Sequence, residues 1–126
     1  MPLIDRNGSS VRDPYVEVDG IGDLPDGQAA ILPAAEFQAN RAALQGRNAP
    51  LAVRLPNDRE VAEIADELHR LDAVVLEFPA FKDGRAYSQA RLLRQRHGYT
   101  GEIRATGDVL QDQAIFLVRC GFDAFE

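Results

Sequence analysis

The sequence predicts an α/β fold, in which an N-terminal β-hairpin is followed by about five parallel strands that alternate with helices. Short apolar runs recur at intervals of about 22 residues, with one longer interval of about 28. These apolar runs are separated by stretches whose apolar residues have helical spacing or which carry helix-capping residues. Alternation at this spacing is typical of βα units with right-handed crossovers. A chain of 126 residues is also of the size of one domain, so residues 1–126 are expected to form a single α/β domain.

The predicted domain has two parts, an N-terminal hairpin with its linker and a set of repeated βα units, at residues 1–28 and 29–126. Residues 2–6 and 10–17 alternate like strands around Asn7-Gly8, a pair that tolerates the positive φ of a tight hairpin turn. Residues 19–28, DGIGDLPDGQ, are rich in Gly, Pro and Asp and predict a linker.

The repeated units are read from apolar runs bounded by turn residues. The predicted strands are residues 29–33, 51–55, 73–78, 102–106 and 122–126. The predicted helices are residues 34–45, a segment starting at Asn57 with Glu60 as its capping partner, Ser88 to His97, and Asp108 to Cys120. Five strands are too few for a closed eight-stranded barrel, so an open sheet and a curved part-barrel both remain.

Composition excludes several classes of protein. The net charge of −6 argues against general nucleic-acid binding. Cys120 is the only cysteine, which excludes an internal disulfide, and the two histidines belong to no ligand-spaced cluster. No apolar run is long enough for a membrane helix and the first residues are too polar for a signal peptide, so a cytoplasmic location is expected. Nucleotide, flavin and metal motifs are absent, and no cofactor is predicted.

A basic segment stands out in this acidic chain. Residues 80–104 contain six Lys and Arg but only two Asp and Glu. The segment starts at the end of strand 73–78, where the interval between strands is longest. Ligands of α/β proteins bind at the carboxyl ends of strands. The sequence therefore predicts a site for a small oxyanion or an acidic partner here.

The candidate ligand- or partner-binding residues are Lys82, Asp83, Arg85, Tyr87, Ser88, Arg91, Arg104, Thr106 and Asp108. Arg85 could offer a planar fork to an oxyanion, and Lys82 a point charge. Tyr87, Arg91 and Arg94 have the spacing of one helix face. Arg104, Thr106 and Asp108 belong to the next strand and its end, beside the same opening.

Simpler interpretations of these residues remain open. Arg91, Arg94 and Arg96 could form a solvated helix face. Asp83-Gly84 could be only a turn, and Asp108 only a helix cap. Glu77 and Arg54 each lie within a predicted strand, where either could be paired and buried or could point outward.

The segment FPAFKDGRAYSQARLLRQRHGYTGEIRATGDVLQDQAIFLVRCGFDAFE, residues 78–126, resembles the C-terminal half of a small bacterial family, the domain of unknown function 934 family. The stretches ILPAAEFQANRAAL and LAVRLPND match it more loosely. Members are labelled oxidoreductases of sulfite reduction because their genes lie beside the sulfite reductase gene. The resemblance implies cytoplasmic sulfur assimilation, with sulfite reductase or its electron carrier as a partner. It supplies no catalytic residue.

Two functions follow as expectations. The first is an accessory or binding protein that uses residues 82–104. The alternative is a small α/β enzyme in which Lys82, Arg85 and Arg104 hold an anionic substrate and Asp83, Glu77 or Asp108 acts as acid or base. An autonomous redox enzyme is not expected from a chain with one cysteine and no redox motif. A homodimer is expected, because a part-barrel leaves sheet edges to be covered.

Overall fold

A computed structural model describes residues 3–78, 84–107 and 114–126. Eight strands form one sheet, in the order β2-β1-β8-β7-β6-β5-β4-β3. Their bounds are Leu3–Asp5 (β1), Ser10–Val11 (β2), Val16–Glu17 (β3), Ala30–Pro33 (β4), Leu51–Leu55 (β5), Ala73–Phe78 (β6), Glu102–Gly107 (β7) and Ala124–Phe125 (β8).

The sheet is mostly parallel and curls into a half-barrel. Strands β3 to β8 pair in parallel, whereas β1 is antiparallel to both β8 and β2. The predicted α/β class is therefore confirmed, and of the two arrangements left open the sheet adopts the curved one. The predicted hairpin is also present, with Leu3 opposite Val11 and Gly8 at a φ of 84° in its turn.

Helices cover one face of the sheet. They are Ala34–Ala39 (α1), Arg85–Arg91 (α2) and Ala114–Arg119 (α3). The helix α2 continues through a π-helical turn, Leu92–Arg96, and short 3-10 helices occupy Ile21–Asp23, Val61–Glu63 and Ala65–Arg70. Alternate strand residues point into the main core beneath these helices, among them Val53, Val74, Leu76, Ile103 and Ala105. No helix within the described ranges is long and apolar enough to cross a membrane.

Three predicted helices differ from the structure at their starts or ends. The first ends at Ala39 rather than at residue 45. Just after Ala39, the side-chain amide of Asn40 donates to the Glu36 carbonyl at 2.8 Å. The expected start at Asn57 is wrong, because Glu60 precedes the 3-10 helix Val61–Glu63 and its N–H donates to the Glu63 carboxylate at 3.0 Å. Ser88 is not a cap, since α2 already begins at Arg85.

The predicted second hairpin strand, residues 10–17, is two separate strands. Pro14 has no N–H to donate, and the Asp13 carboxylate accepts the Tyr15 N–H at 2.9 Å, so the extended ladder is broken between them. Strand β3 pairs with β4 at the edge of the sheet opposite β2. The intervening residues 12–15 therefore cross the face that lacks helices, where Tyr15 packs on a small apolar cluster of Ile31, Ala52, Ala73 and Val75.

Candidate functional site

The helix α2 and the π-helical turn that continues it have three sides with different surroundings. Ala86, Ala90 and Leu93 are buried against the sheet and fix the helix in place. One flank faces α3 and the residues after it and carries Tyr87, Arg91 and Arg94. The other flank faces the loop after β5 and carries Arg85, Ser88, Gln89 and Leu92. The predicted grouping of Tyr87, Arg91 and Arg94 on one face is thus correct, while Arg85 and Ser88 lie on the opposite flank.

Aromatic packing holds the flank that faces α3. The ring of Tyr87 meets those of Phe78 and Phe116 edge-on, with centroid separations of 5.1 and 4.9 Å. Burial is the main reason that the pKa of the Tyr87 hydroxyl is raised, and the nearby Cys120 raises it further. Phe116 nevertheless remains 47% exposed. The cluster therefore presents an aromatic edge to solvent.

Arg94 is a structural residue rather than a free cation. Its guanidinium donates to the carbonyls of Tyr99, Gly101 and Gly121 at 2.7 to 3.1 Å. It also forms an ion pair of 2.6 Å with Asp123. The interpretation of a solvated helix face is therefore wrong for Arg94. Arg91 and Arg96, by contrast, are exposed.

An exposed surface results where the two helices meet. Arg91 is exposed and places Nη2 3.9 Å from the Cys120 sulfur, beside α3. Phe116 and the exposed Arg119 are three residues apart on α3 and so share one face of that helix. We refer to Arg91, Phe116 and Arg119 as the α2–α3 surface. It joins two cations and an aromatic ring.

A cavity of about 310 Å³ lies on the other flank, between α2 and the loop that follows β5. Arg85, Ser88 and Gln89 line it from the helix, and Asp58 lines it from the loop. Gln89 is only 5% exposed, and its Nε2 donates to the carbonyls of Pro56 and Arg59 at 2.9 Å each. Sequence reasoning missed Gln89. A signal existed, because this polar residue falls within the helical spacing of buried alanines.

Arg104 lies on the face of the sheet that lacks helices. Its neighbours in the chain, Ile103 and Ala105, point into the main core, so Arg104 points the other way. The side chain is 1% exposed and pairs with Glu102 at 2.6 Å and with Asp13 at 3.0 Å. The predicted meeting of Arg104 with Arg85 at one opening is therefore wrong, since the sheet separates them.

The ionisable groups around Arg104 hold the N-terminal segment onto the sheet. Burial by itself would lower the pKa of Arg104, but its hydrogen bonds to Glu102 and Asp13 raise it. The Tyr15 ring lies 4.8 Å from the guanidinium carbon. Burial raises the pKa of Tyr15 to about 12, with further contributions from Asp72 and Glu102.

Thr106 belongs to the same face as Arg104, two residues further along β7. It is in register with Glu77 of β6. Glu77 lies 3.7 Å from the Arg54 guanidinium, which also contacts Glu17 of β3. Of the interpretations left open for Glu77 and Arg54, pairing is the one observed, and both side chains are only partly buried.

The remaining predicted site residues, Lys82, Asp83 and Asp108, lie outside the described residues. Within the described ranges, no group of three or more His, Cys, Asp or Glu side chains is arranged to hold a metal ion.

Comparison with known proteins gives one match. No curated protein and no solved structure matches the chain. A family model described as "Bacterial protein of unknown function (DUF934)" matches residues 52–126, which is more than half of the chain. The match covers β5 to β8 together with α2 and α3 and therefore includes the α2–α3 surface and the cavity beside Gln89. As its sequence resemblance predicted, the chain belongs to the DUF934 family.

Proposed function

We propose that the protein is an accessory binding protein of cytoplasmic sulfite reduction, which docks an acidic surface of sulfite reductase. The pathway comes from the sequence resemblance. The α2–α3 surface supports the docking, and the exposed Phe116, which shares its face of α3 with the exposed Arg119, is the observation that carries it. The sequence predicted that the partner site lies within residues 82–104. Of that segment, the proposed surface includes Arg91, and it also includes Phe116 and Arg119 of α3.

The composition of this surface is that of a protein interface. The central parts of interfaces are enriched in aromatic residues and arginine, and a few such residues carry most of the binding energy. Phe116 is anchored on one side by Tyr87, so its exposed edge is held in place before a partner arrives. The cations of Arg91 and Arg119 favour a partner of opposite charge and speed its approach.

The enzyme alternative has less support. It requires Lys82, Arg85 and Arg104 to hold one substrate, with Asp83, Glu77 or Asp108 as an acid or base. Arg104 and Glu77 lie on the face without helices, and Arg85 lines a cavity on the helical side. For the same reason, among the described residues a small oxyanion would have to bind in the cavity beside Arg85 and Ser88 rather than beside Arg104.

Binding to purified sulfite reductase, measured by biolayer interferometry at low and moderate salt, tests the proposal. We expect binding that weakens as salt rises, because exposed charge pairs are screened. Phe116→Ser should weaken it about tenfold or more, the effect of losing an interface hot spot. The double variant Arg91→Glu/Arg119→Glu should weaken it at least as much.

A matched charge reversal serves as the control. Arg12 is exposed on the segment that crosses the opposite face, so Arg12→Glu should leave the affinity unchanged. Equal binding by the wild-type protein and the α2–α3 variants would contradict the proposal, as would the absence of binding. Binding to the electron carrier alone would move the partner assignment to that protein.

The homodimer expected from the sequence is also a proposal. Both edges of the half-barrel are short strands, and each carries an exposed valine, Val11 on β2 and Val16 on β3. Pairing of these edges between two copies would cover both. Light scattering at tens of micromolar should give twice the monomer mass, and a monomer mass would refute the pairing.

A further inference from the structure

We propose that Arg94 is a positioning residue for docking, which ties α3 to α2 and so fixes the α2–α3 surface before a partner arrives. This inference rests on the proposed docking function and assigns to it a residue that acts through its neighbours. The Arg94 side chain is 23% exposed, and its guanidinium bonds to groups of the protein itself.

The helix α3 depends on its surroundings to keep its place. It comprises the six residues Ala114–Arg119, and helices shorter than about 12 residues are marginal by themselves in water. Leu117 anchors it in the main core, but apolar burial is not directional. The placement of Phe116 and Arg119 relative to α2 therefore requires directional bonds as well.

Arg94 supplies such bonds just after α3. Its Nε and Nη2 both donate to the Gly121 carbonyl, at 3.1 and 2.8 Å. Nη1 donates to the carbonyls of Tyr99 and Gly101 at 2.8 and 2.7 Å, and Nη2 pairs with Asp123 at 2.6 Å. Because the guanidinium is planar and rigid, these bonds hold the end of α3 and the residues before β7 in one arrangement around α2.

Gly121 permits the close approach between the end of α3 and Arg94. Its φ of 111° favours glycine, and a Cβ at this position would lie 2.7 Å from Cγ of Arg94. The backbone that follows α3 therefore rests directly on the Arg94 side chain, and α3 cannot shift along α2 without breaking this contact.

The docking surface lies between two ties that join α2 to α3. One is the contact of Tyr87 with Phe116, whose ring centroids are 4.9 Å apart, and the other is the bond from Arg94 to the residue after α3. Arg91 lies between Tyr87 and Arg94 on the same flank of α2. Without the second tie, the end of α3 that carries Arg119 would have to be ordered when the partner binds, and this ordering weakens binding.

Biolayer interferometry with purified sulfite reductase and the whole protein tests the proposal with Arg94→Lys. Lysine keeps the charge that pairs with Asp123, but its ammonium cannot reproduce the planar fork that bonds to Gly121. We expect the affinity to fall about three- to tenfold, chiefly through faster dissociation, with an unchanged dependence on salt. Arg91→Gln should instead weaken both the affinity and its dependence on salt, because it removes a charge that faces the partner.

Two controls separate positioning from a general loss of charge or stability. Arg6→Gln removes the other arginine that pairs with Asp123, on the N-terminal hairpin, and should leave the affinity unchanged. Arg104→Met removes buried ion pairs on the opposite face of the sheet and lowers stability there. At a temperature where each variant is folded, Arg104→Met should dock like the wild-type protein.

Gly121→Ala tests the same contact from the side of α3 and keeps the test decisive if Arg94→Lys does not fold. Its methyl group would collide with the Arg94 side chain, so docking should weaken about threefold or more. Gly98→Ala, also at a positive φ but with open space around its Cβ, should dock normally.

The outcomes distinguish this inference from the docking function on which it rests. Absence of binding by the wild-type protein would overturn the docking function, and the role of Arg94 with it. Normal docking by Arg94→Lys and Gly121→Ala, beside a wild-type protein that binds, would overturn the role of Arg94 alone. An equal loss of affinity in Arg94→Lys and Arg104→Met would do the same, because it would trace the effect to stability.

Discussion

Replacing Arg104 by methionine should lower the free energy of unfolding by about 3 kcal/mol. The side chain is 1% exposed, and methionine fills most of its volume, so the loss comes from polar contacts rather than from a cavity. Two charge-assisted hydrogen bonds, to Glu102 and Asp13, disappear. Each is worth about 1.5 to 3 kcal/mol when buried.

The full value of these bonds does not apply, because both carboxylates are about one-third exposed and recover water when Arg104 is removed. We therefore take about 1 kcal/mol for each bond. Loss of the contact with the Tyr15 ring adds about 1 kcal/mol. For a chain of this size, a total of about 3 kcal/mol corresponds to a fall in Tm of about 10 °C.

Urea unfolding followed by circular dichroism measures this loss. Hydrogen exchange locates it, because the Val16 and Val18 amides donate to the Ala29 and Ile31 carbonyls only while β3 is held on the sheet. Their exchange should accelerate more than that of amides in β6. Arg12→Met removes an exposed arginine from the same segment and is the control. A loss below about 1 kcal/mol, or unchanged exchange at Val16, would refute the reasoning.

Two further predictions concern glycine and carboxylate positions. Gly107 has a φ of 99° and a Cβ there would collide with the Phe78 carbonyl, whereas Gly27, at 71°, has open space. Gly107→Ala should thus cost about 2 kcal/mol or more in urea unfolding and Gly27→Ala about 1, and equal losses would contradict the clash. Burial raises the pKa of Glu126, so the folded state holds its proton to higher pH than the unfolded chain and stability falls as pH rises between the two values. Glu126→Gln should therefore be more stable than the wild-type protein at pH 7 but not at pH 3, and thermal unfolding that shows the same gain at both would count against this.

The parallel strands could be predicted because local pattern and burial agree there. AVVLEF is a short, almost wholly apolar run, and as β6 it is buried on both faces at the centre of the sheet. Residues 16–17 were predicted to be a strand, but as part of the hairpin, and the pairing of β3 with β4 could not be predicted. That pairing depends on residues 12–15 crossing the sheet, a contact that no local pattern encodes.

The helix after β5 shows how packing decides between equivalent local signals. Asn57 with Glu60 and Glu60 with Glu63 have the same spacing, and either pair fits the start of a helix. The structure uses the second pair. The first lies in the loop whose Pro56 and Arg59 carbonyls bond to Gln89. Contact with α2, rather than the capping pattern, sets where the helix begins.

The grouping of the candidate residues differs between sequence and structure. The count of basic residues along 80–104 treated as one group side chains that point in three directions. Strand alternation carries the missing information for Arg104, because Glu102 and Arg104 are two residues apart and must share a face. The contributions of Asp13 and Tyr15 to that face could not be foreseen, since Asp13 lies 91 residues from Arg104 in the chain and Tyr15 is only two residues closer.

The position of β1 beside β8 has a consequence for the order in which the parts of the protein fold during synthesis. The Arg6–Asp123 bond, which accompanies this pairing, joins residues 117 apart. During synthesis β1 and β2 emerge before β8, the strand with which β1 pairs. Until then β1 and β2 form only an isolated two-stranded hairpin, which is marginally stable in water. We therefore expect the helical side of the sheet to assemble first, and the N-terminal segment to close over the other face only after β8 has joined β7.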